Sequence, residues 1–307
     1  MKPRLWPWAA VFGLAFSIMT GTSRLDLRAG DAPLPDLTLF LKEVRTKLIA
    51  QGEAKGRLEN YTYRKKVLEE TLRRDNTVKS AETTEYRVYH SKSGPYNKMI
   101  SKNNVPLSLK ELKKQDDALA EKERKRREHE AELSVPQRQA KADERRKKRR
   151  EELDDIFSAL NFTLLGRDLL EDRRAIVVAF RPKQGATLRT MIGKAVVRNI
   201  VGKAWIDEDD HELMKIVIET IDDIHFGAGV LAKLGKGTMI FQEWRKVNNE
   251  VWLPQRTELR MKARVLLVKG FNLRRVEEYW DYQKLGARES RSRELSHAFA
   301  SALYARR

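Results

Sequence analysis

The 307-residue chain contains no cysteine. That single absence removes disulfide scaffolds, zinc ribbons, iron–sulfur clusters and thiol nucleophiles together. It leaves export open, because a core large enough to fold alone needs no covalent staple. Histidine is scarce: the five sit at positions 90, 129, 211, 225 and 297, with no H-x-x-x-H pairing, which argues against a transition-metal site. No G-x-S-x-G elbow occurs either, although a triad assembled from distant segments has no sequence signature to exclude. Residues 229–238, GVLAKLGKGT, imitate a phosphate-binding loop, but Val230 stands where glycine is required and Gly237 where serine or threonine is required. This segment reads as a hairpin loop. The run Asp207-Glu208-Asp209-Asp210-His211-Glu212 has no glycine to bend it round a hard cation and reads as a turn. The expectation is a non-enzymatic protein without metal or cofactor.

What the chain does have is charge. It carries 62 Lys and Arg against 44 Asp and Glu, a formal net charge of +18. Such a balance predicts anionic surroundings and says nothing about fold. With 41% hydrophobic and 35% charged residues, there is apolar material for one sizeable core plus a solvated part. The longest uncharged run is at the amino terminus. MKPR supplies two positive side chains and residues 5–19 carry none. As helix this run spans roughly 22 Å, short of the roughly 30 Å hydrocarbon thickness, and Pro7 interrupts it further. Residues 1–23 therefore read as a secretory signal rather than a span, with an uncleaved anchor as the alternative. No cysteine follows to carry a lipid. The expected location is the periplasm, or the medium beyond it.

Along the rest of the chain the hydrophobic period changes several times. Leu37, Leu41, Val44 and Leu48 recur at helical spacing after Asp36, a good N-cap, with Gly52 as a plausible stop. Residues 60–74 and 77–91 alternate as two long strands with a turn at Asp75-Asn76. Residues 105–158 differ from both. Ser108 and Glu111 form a capping box, and from 110 to 152 about two residues in three are charged, with few apolar positions. This is a charged helical insertion that Pro136 divides, with Ile156, Phe157 and Leu160 docking its end on the body. From 159 to 290 the pattern returns to consecutive strands with regular turns, the signature of a curling antiparallel meander. A short helix is expected over 186–195, and another in the tail, 291–307. Residues 24–104 and 159–290 then form the two parts of one α+β unit.

The run KAWIDEDDHELMKIVIE, followed by GTMIFQEWRKVNNEVWLPQRTELRM and LRRVEEYWDYQKL, resembles the outer-membrane lipoprotein-sorting (LolA/LolB/RseB-like) superfamily. The parts that carry the resemblance are Trp205-Ile206-Asp207 before an acidic turn, Asn249 to Pro254 opening a strand, and Tyr279 and Tyr282 in the closing strand. It covers about 60–100 and 160–285; the insertion is no part of it. The resemblance implies a curved antiparallel half-barrel covered by an N-terminal helix, with a cleft for acyl chains and no catalytic group. On the residues themselves, a curved sheet with one apolar face needs a lid or a ligand. The candidate cleft residues are Leu41, Val44 and Leu48 from the helix, with Trp205, Ile216, Ile218, Ile240, Trp244 and Trp252 from the strands. The expected partner is a lipid or an acylated protein.

A second set of candidates lies in the insertion. Arg145, Arg146, Lys147, Lys148, Arg149 and Arg150 form an unbroken basic run that suits an envelope protein or an anionic surface. Nucleic acid has no place in an exported protein. A structural or sensing envelope protein that docks through residues 110–152 is the alternative to lipid carriage.

Overall fold

A computed structural model describes residues 33–53, 58–91, 94–132, 134–190, 194, 196–226, 232–265 and 269–285. The expected signal, 1–23, and the tail, 291–307, lie outside the described residues. The first helix, α1 (Leu37–Glu53), starts where Asp36 accepts a hydrogen bond from the backbone N–H of Leu39 at 2.9 Å. Three long strands follow: β1 (Tyr61–Leu72), β2 (Val78–Ser91) and β3 (Gly94–Lys102), then a two-residue β4 (Val105–Pro106). β3 begins at Gly94 and pairs antiparallel with β2, with Pro95 opposite His90.

Two charged helices come next. In α2 (Leu109–Glu132) the capping box forms as expected: Glu111 N–H donates to Ser108 Oγ at 3.3 Å and Ser108 N–H to Glu111 Oε2 at 2.8 Å. The third helix, α3 (Val135–Ala159), has Ser134 as its own N-cap, with a second capping box to Gln137 and Pro136 in its first turn. Gln115 of α2 makes two hydrogen bonds to the Met99 backbone, which ties that helix to β3.

The remaining strands are β5 (Leu160–Leu170), β6 (Arg173–Pro182), β7 (Ile200–Asp207), β8 (Leu213–Thr220), β9 (Ile224–Phe226), β10 (Ala232–Leu234), β11 (Met239–Val247), β12 (Val251–Val265) and β13 (Lys269–Lys284). Residues 186–190, expected as helix, are loop; Lys194 is helical, while 191–193 and 195 lie outside the described residues. All these strands belong to one antiparallel sheet in the order β4-β3-β2-β1-β13-β12-β11-β8-β7-β6-β5, with β9 and β10 branching from β12. The end strands do not meet, so the barrel is not closed. Register shifts in six of the strand pairs mark bulges, the device by which a long sheet bends.

The main core lies between α1, the end of α3 and the β5–β8 part of the sheet. Phe40, Val44, Ala159, Ile176, Val178 and Ile206 are its buried centre, and Ile156 and Phe157 pack against it. Burying Phe40 and Val44 contributes about 1.5–3 kcal/mol each, the main reason an otherwise polar helix stays in place. Gly202 is required there for close approach: an added Cβ would collide with the Val217 carbonyl and the Phe180 ring.

Candidate functional site

Side chains opposite each other in an antiparallel ladder share a face, so the register assigns every strand position to the α1 side or the other side. On the α1 side, Ile206, Ala204 and Gly202 of β7 face Leu213, Ile216 and Ile218 of β8, and Ile218 faces Ile240 of β11. Ile240 in turn pairs with Leu259, and Met261 of β12 pairs with Leu273 of β13. Of the nine candidate cleft residues, this face holds Ile216, Ile218 and Ile240. Val44 and Leu48 reach it from α1 as members of the same cluster. Leu41 is half-buried at the side of the helix, and Phe40 takes the central place.

Trp205, Trp244 and Trp252 lie on the opposite face. Trp205 pairs with Lys215, one step out of phase with Ala204 and Ile216, and a bulge at Glu243/Trp244 keeps Trp244 beside Pro254 on that same outer side. There they join a band of aromatic rings and cations. The Lys215 ammonium sits 5.0 Å from the Trp205 ring centre and 5.2 Å from that of Phe241, and the Arg173 guanidinium is 5.6 Å from the Trp252 ring. Two of the indole N–H groups donate to carboxylates, Trp205 to Asp168 at 3.0 Å and Trp252 to Asp210 at 2.9 Å. The acidic run 207–212 is the turn expected. Asp207 Oδ1 accepts the N–H groups of Asp209 and Asp210, Arg173 bridges Asp207 and Asp210, and Lys246 reaches Asp210 at 2.7 Å.

The α1 face changes character along the sheet. Its closed cluster ends at β8; Ile240, Leu259 and Met261, next along, are half-buried and outside it. Beyond them β13 and β1 bring polar groups to the same face. Glu277 accepts from Tyr279 Oη at 2.5 Å and from Arg275 Nε at 2.7 Å, and Lys65 stands 3.5 Å away. Burial alone would raise the Glu277 carboxyl, but the Tyr279 hydrogen bond and the two cations outweigh it and hold the pKa below the usual value. Tyr63 and Tyr282 lie beside Tyr279, with ring centres 5.1 and 6.0 Å from Tyr63, and burial raises all three phenols, Tyr63 to about 12. The arrangement is a strip with an apolar part and a neighbouring tyrosine-rich polar part. Leu259 and Met261 were not among the sequence candidates, although their alternation with Arg260 and Lys262 is a period-two signal.

The basic run of α3 stands clear of the body. Every residue from 143 to 150 is exposed, Arg145 to Arg150 included. Six consecutive positions cover the whole circumference of a helix, so this segment cannot be packed on any side.

No family model matches the chain, and no curated protein matches it. Among solved structures it is similar to a DUF1329 family protein from Desulfovibrio piger, at 10% identity and a TM-score of 0.26, covering 79% of this chain and 92% of that one. It is similar to an outer membrane lipoprotein-sorting protein domain from Vibrio parahaemolyticus, at 11% identity and TM-score 0.24, covering 79% and 94%. A third is the MucA/MucB complex of Pseudomonas aeruginosa, at 9% identity and TM-score 0.25, covering 80% and 99%. One of these three is named for lipoprotein sorting, as is the superfamily that the sequence resembles. Among the described residues no helix is long and apolar enough to cross a membrane.

Proposed function

We propose that the protein is an exported, non-catalytic binding protein that holds an acyl chain, of a lipid or of a lipid-modified protein, on the α1 face of its open sheet. The observation that carries this reading is the strip beyond the helix-covered core. Ile240, Leu259 and Met261 are half-buried there, continuous with Ile216 and Ile218, and border the Tyr279–Glu277–Lys65 group. An amphipathic molecule matches both parts, with its chain on β11 and β12 and its polar end toward β13 and β1. Each buried CH₂ contributes about 0.8 kcal/mol, so affinity needs no reacting group.

Native mass spectrometry of protein purified under mild conditions, with solvent extraction of the bound fraction, tests this. A stoichiometric lipid is expected in the parent protein, and Ile240→Asp/Leu259→Asp should lose most of it while keeping its thermal midpoint within a few degrees. A parent protein free of lipid, or a variant that retains the full amount, would sink the reading.

A further inference from the structure

The two ends of the sheet differ in charge. At the end where β5 turns into β6 and β7 into β8 lie Glu171, Asp172 and five acids within residues 207–212. At the other end β6 leads into β7, and from Ala175 to Ile206 the chain contains no Asp or Glu. Arg181, Lys183, Arg189, Lys194 and Arg198 are all exposed in that stretch, and none forms an ion pair with a carboxylate within 4.0 Å among the described residues. Arg198 donates to the Ala186 carbonyl at 3.2 Å, and Lys183 and Arg198 border a groove of 520 Å³ formed by residues 182–188. Asp155, only 1% exposed, is the acid beneath this loop. It accepts the backbone N–H groups of Arg189 and Thr190 and the Thr190 hydroxyl, so it shapes the loop and leaves the cations facing outward. Lys236 and Lys262, both exposed, lie at the same end, joined through the hydrogen bond from Gly235 N–H to the Lys262 carbonyl; Asp222 and Asp223, which follow β8, lie there too, and Asp223 accepts the Lys236 N–H at 2.9 Å and pairs with Lys233.

We propose that this basic rim docks the protein on the anionic phospholipid head groups of a membrane surface. The cations do not converge on a point, as a site for a small anion requires. They run along the ends of successive strands, and Arg73 and Arg74 in the β1–β2 turn extend the line across seven strands, β1 to β6 in sheet order. At about 4.8 Å per strand that line is roughly 30 Å long, the dimension of a patch of phosphates rather than of one ligand. The acidic turns at the far end are repelled by the same surface, so the protein stands with Lys183, Arg189 and Arg198 toward the membrane. This docking is independent of what the α1 face holds.

Vesicle flotation with the full chain tests the proposal, using phosphatidylglycerol-containing vesicles and neutral phosphatidylcholine vesicles; the neutral ones remove any contribution of the apolar residues 5–19. The parent protein should float with the anionic vesicles at low salt and be released at high salt. Lys183→Glu/Arg189→Glu/Arg198→Glu should weaken the anionic binding by about a hundredfold or more. The milder Lys183→Gln/Arg198→Gln, confined to exposed side chains, should weaken it about tenfold, which keeps the test valid if the triple variant folds poorly. Arg189→Lys/Arg198→Lys should bind as the parent does. A control, Arg145→Glu/Lys148→Glu/Arg149→Glu, changes the α3 run alone and should retain binding. The proposal is overturned if the rim variants float like the parent, if the α3 control is the one that is lost, or if the parent binds duplex DNA as tightly as it binds the vesicles.

Discussion

Glu258 sits on the sheet face opposite α1, among Arg256, Arg260 and Arg274. Its oxygens accept from Arg274 at 2.9 Å, Arg260 at 2.8 Å and Arg256 at 2.9 Å, and only 14% of its side chain is exposed. Burial by itself would raise this carboxyl, but the guanidinium hydrogen bonds outweigh it and bring the pKa to about 2 from 4.5. A carboxylate with a depressed folded-state pKa contributes stability that is fully present above its unfolded value. That stability is lost as pH falls toward the folded one. The expected window is therefore pH 4.5 down to about 2. Glu258→Gln should lower stability by about 1–3 kcal/mol at neutral pH and flatten the acid limb of the curve. Urea unfolding at pH 7, 4 and 3 checks both; an unchanged acid limb would remove Glu258 from the account.

The helix α1 decides which part of the sheet is closed. Its sequence spacing allows either Phe40 or Leu41 to lead the apolar stripe, since both continue to Val44 and Leu48 at three or four residues. The fold selects Phe40, which is 3% exposed and packs, tilted by 47°, with its ring centre 5.1 Å from that of His211 at the acidic turn, while Leu41 is half-buried. Phe40→Ala should cost about 3–5 kcal/mol. Leu41→Ala should cost less than about 1.5 kcal/mol, because its removed atoms leave no enclosed cavity. Equal losses in chemical denaturation would mean that the helix sits rotated from the position described.

At the level of the molecule, the topology joins the first long strand to the last. β1 pairs with β13 from Tyr61 to Leu72 and with β2 on its other side, so the first strands complete a sheet whose other half begins after the charged helices. Residues 143–150 of α3 are exposed on every side and rich in Lys and Arg, so trypsin should cut there first. The two products should stay together, because the cut leaves the β1–β13 ladder intact. Limited digestion followed by size exclusion and denaturing electrophoresis reads this: one native peak containing two fragments is expected, and early cutting within β5–β8 or separation of the halves would contradict the topology.

Much of the element order was legible in local patterns. The α1 cap at Asp36, the box at Ser108 and Glu111, the break at Pro136 and the turns at Asp75-Asn76 and Glu171-Asp172 depend on near neighbours, and the sequence alone determined them. Glu171 and Asp172 both take positive φ, as that two-residue turn requires. Three things were decided only by the tertiary structure. Pairing of β1 with β13 is between residues some two hundred positions apart, and no local period encodes it. Assignment of the tryptophans to the outer face depends on strand register and on the bulge at Glu243/Trp244, where one extra residue resets the alternation for everything after it. Finally, the gathering of cations at one end of the sheet is invisible in a net charge of +18. It exists because successive antiparallel strands return Arg181, Lys183 and Arg198, the Lys236 turn and Lys262 to the same rim.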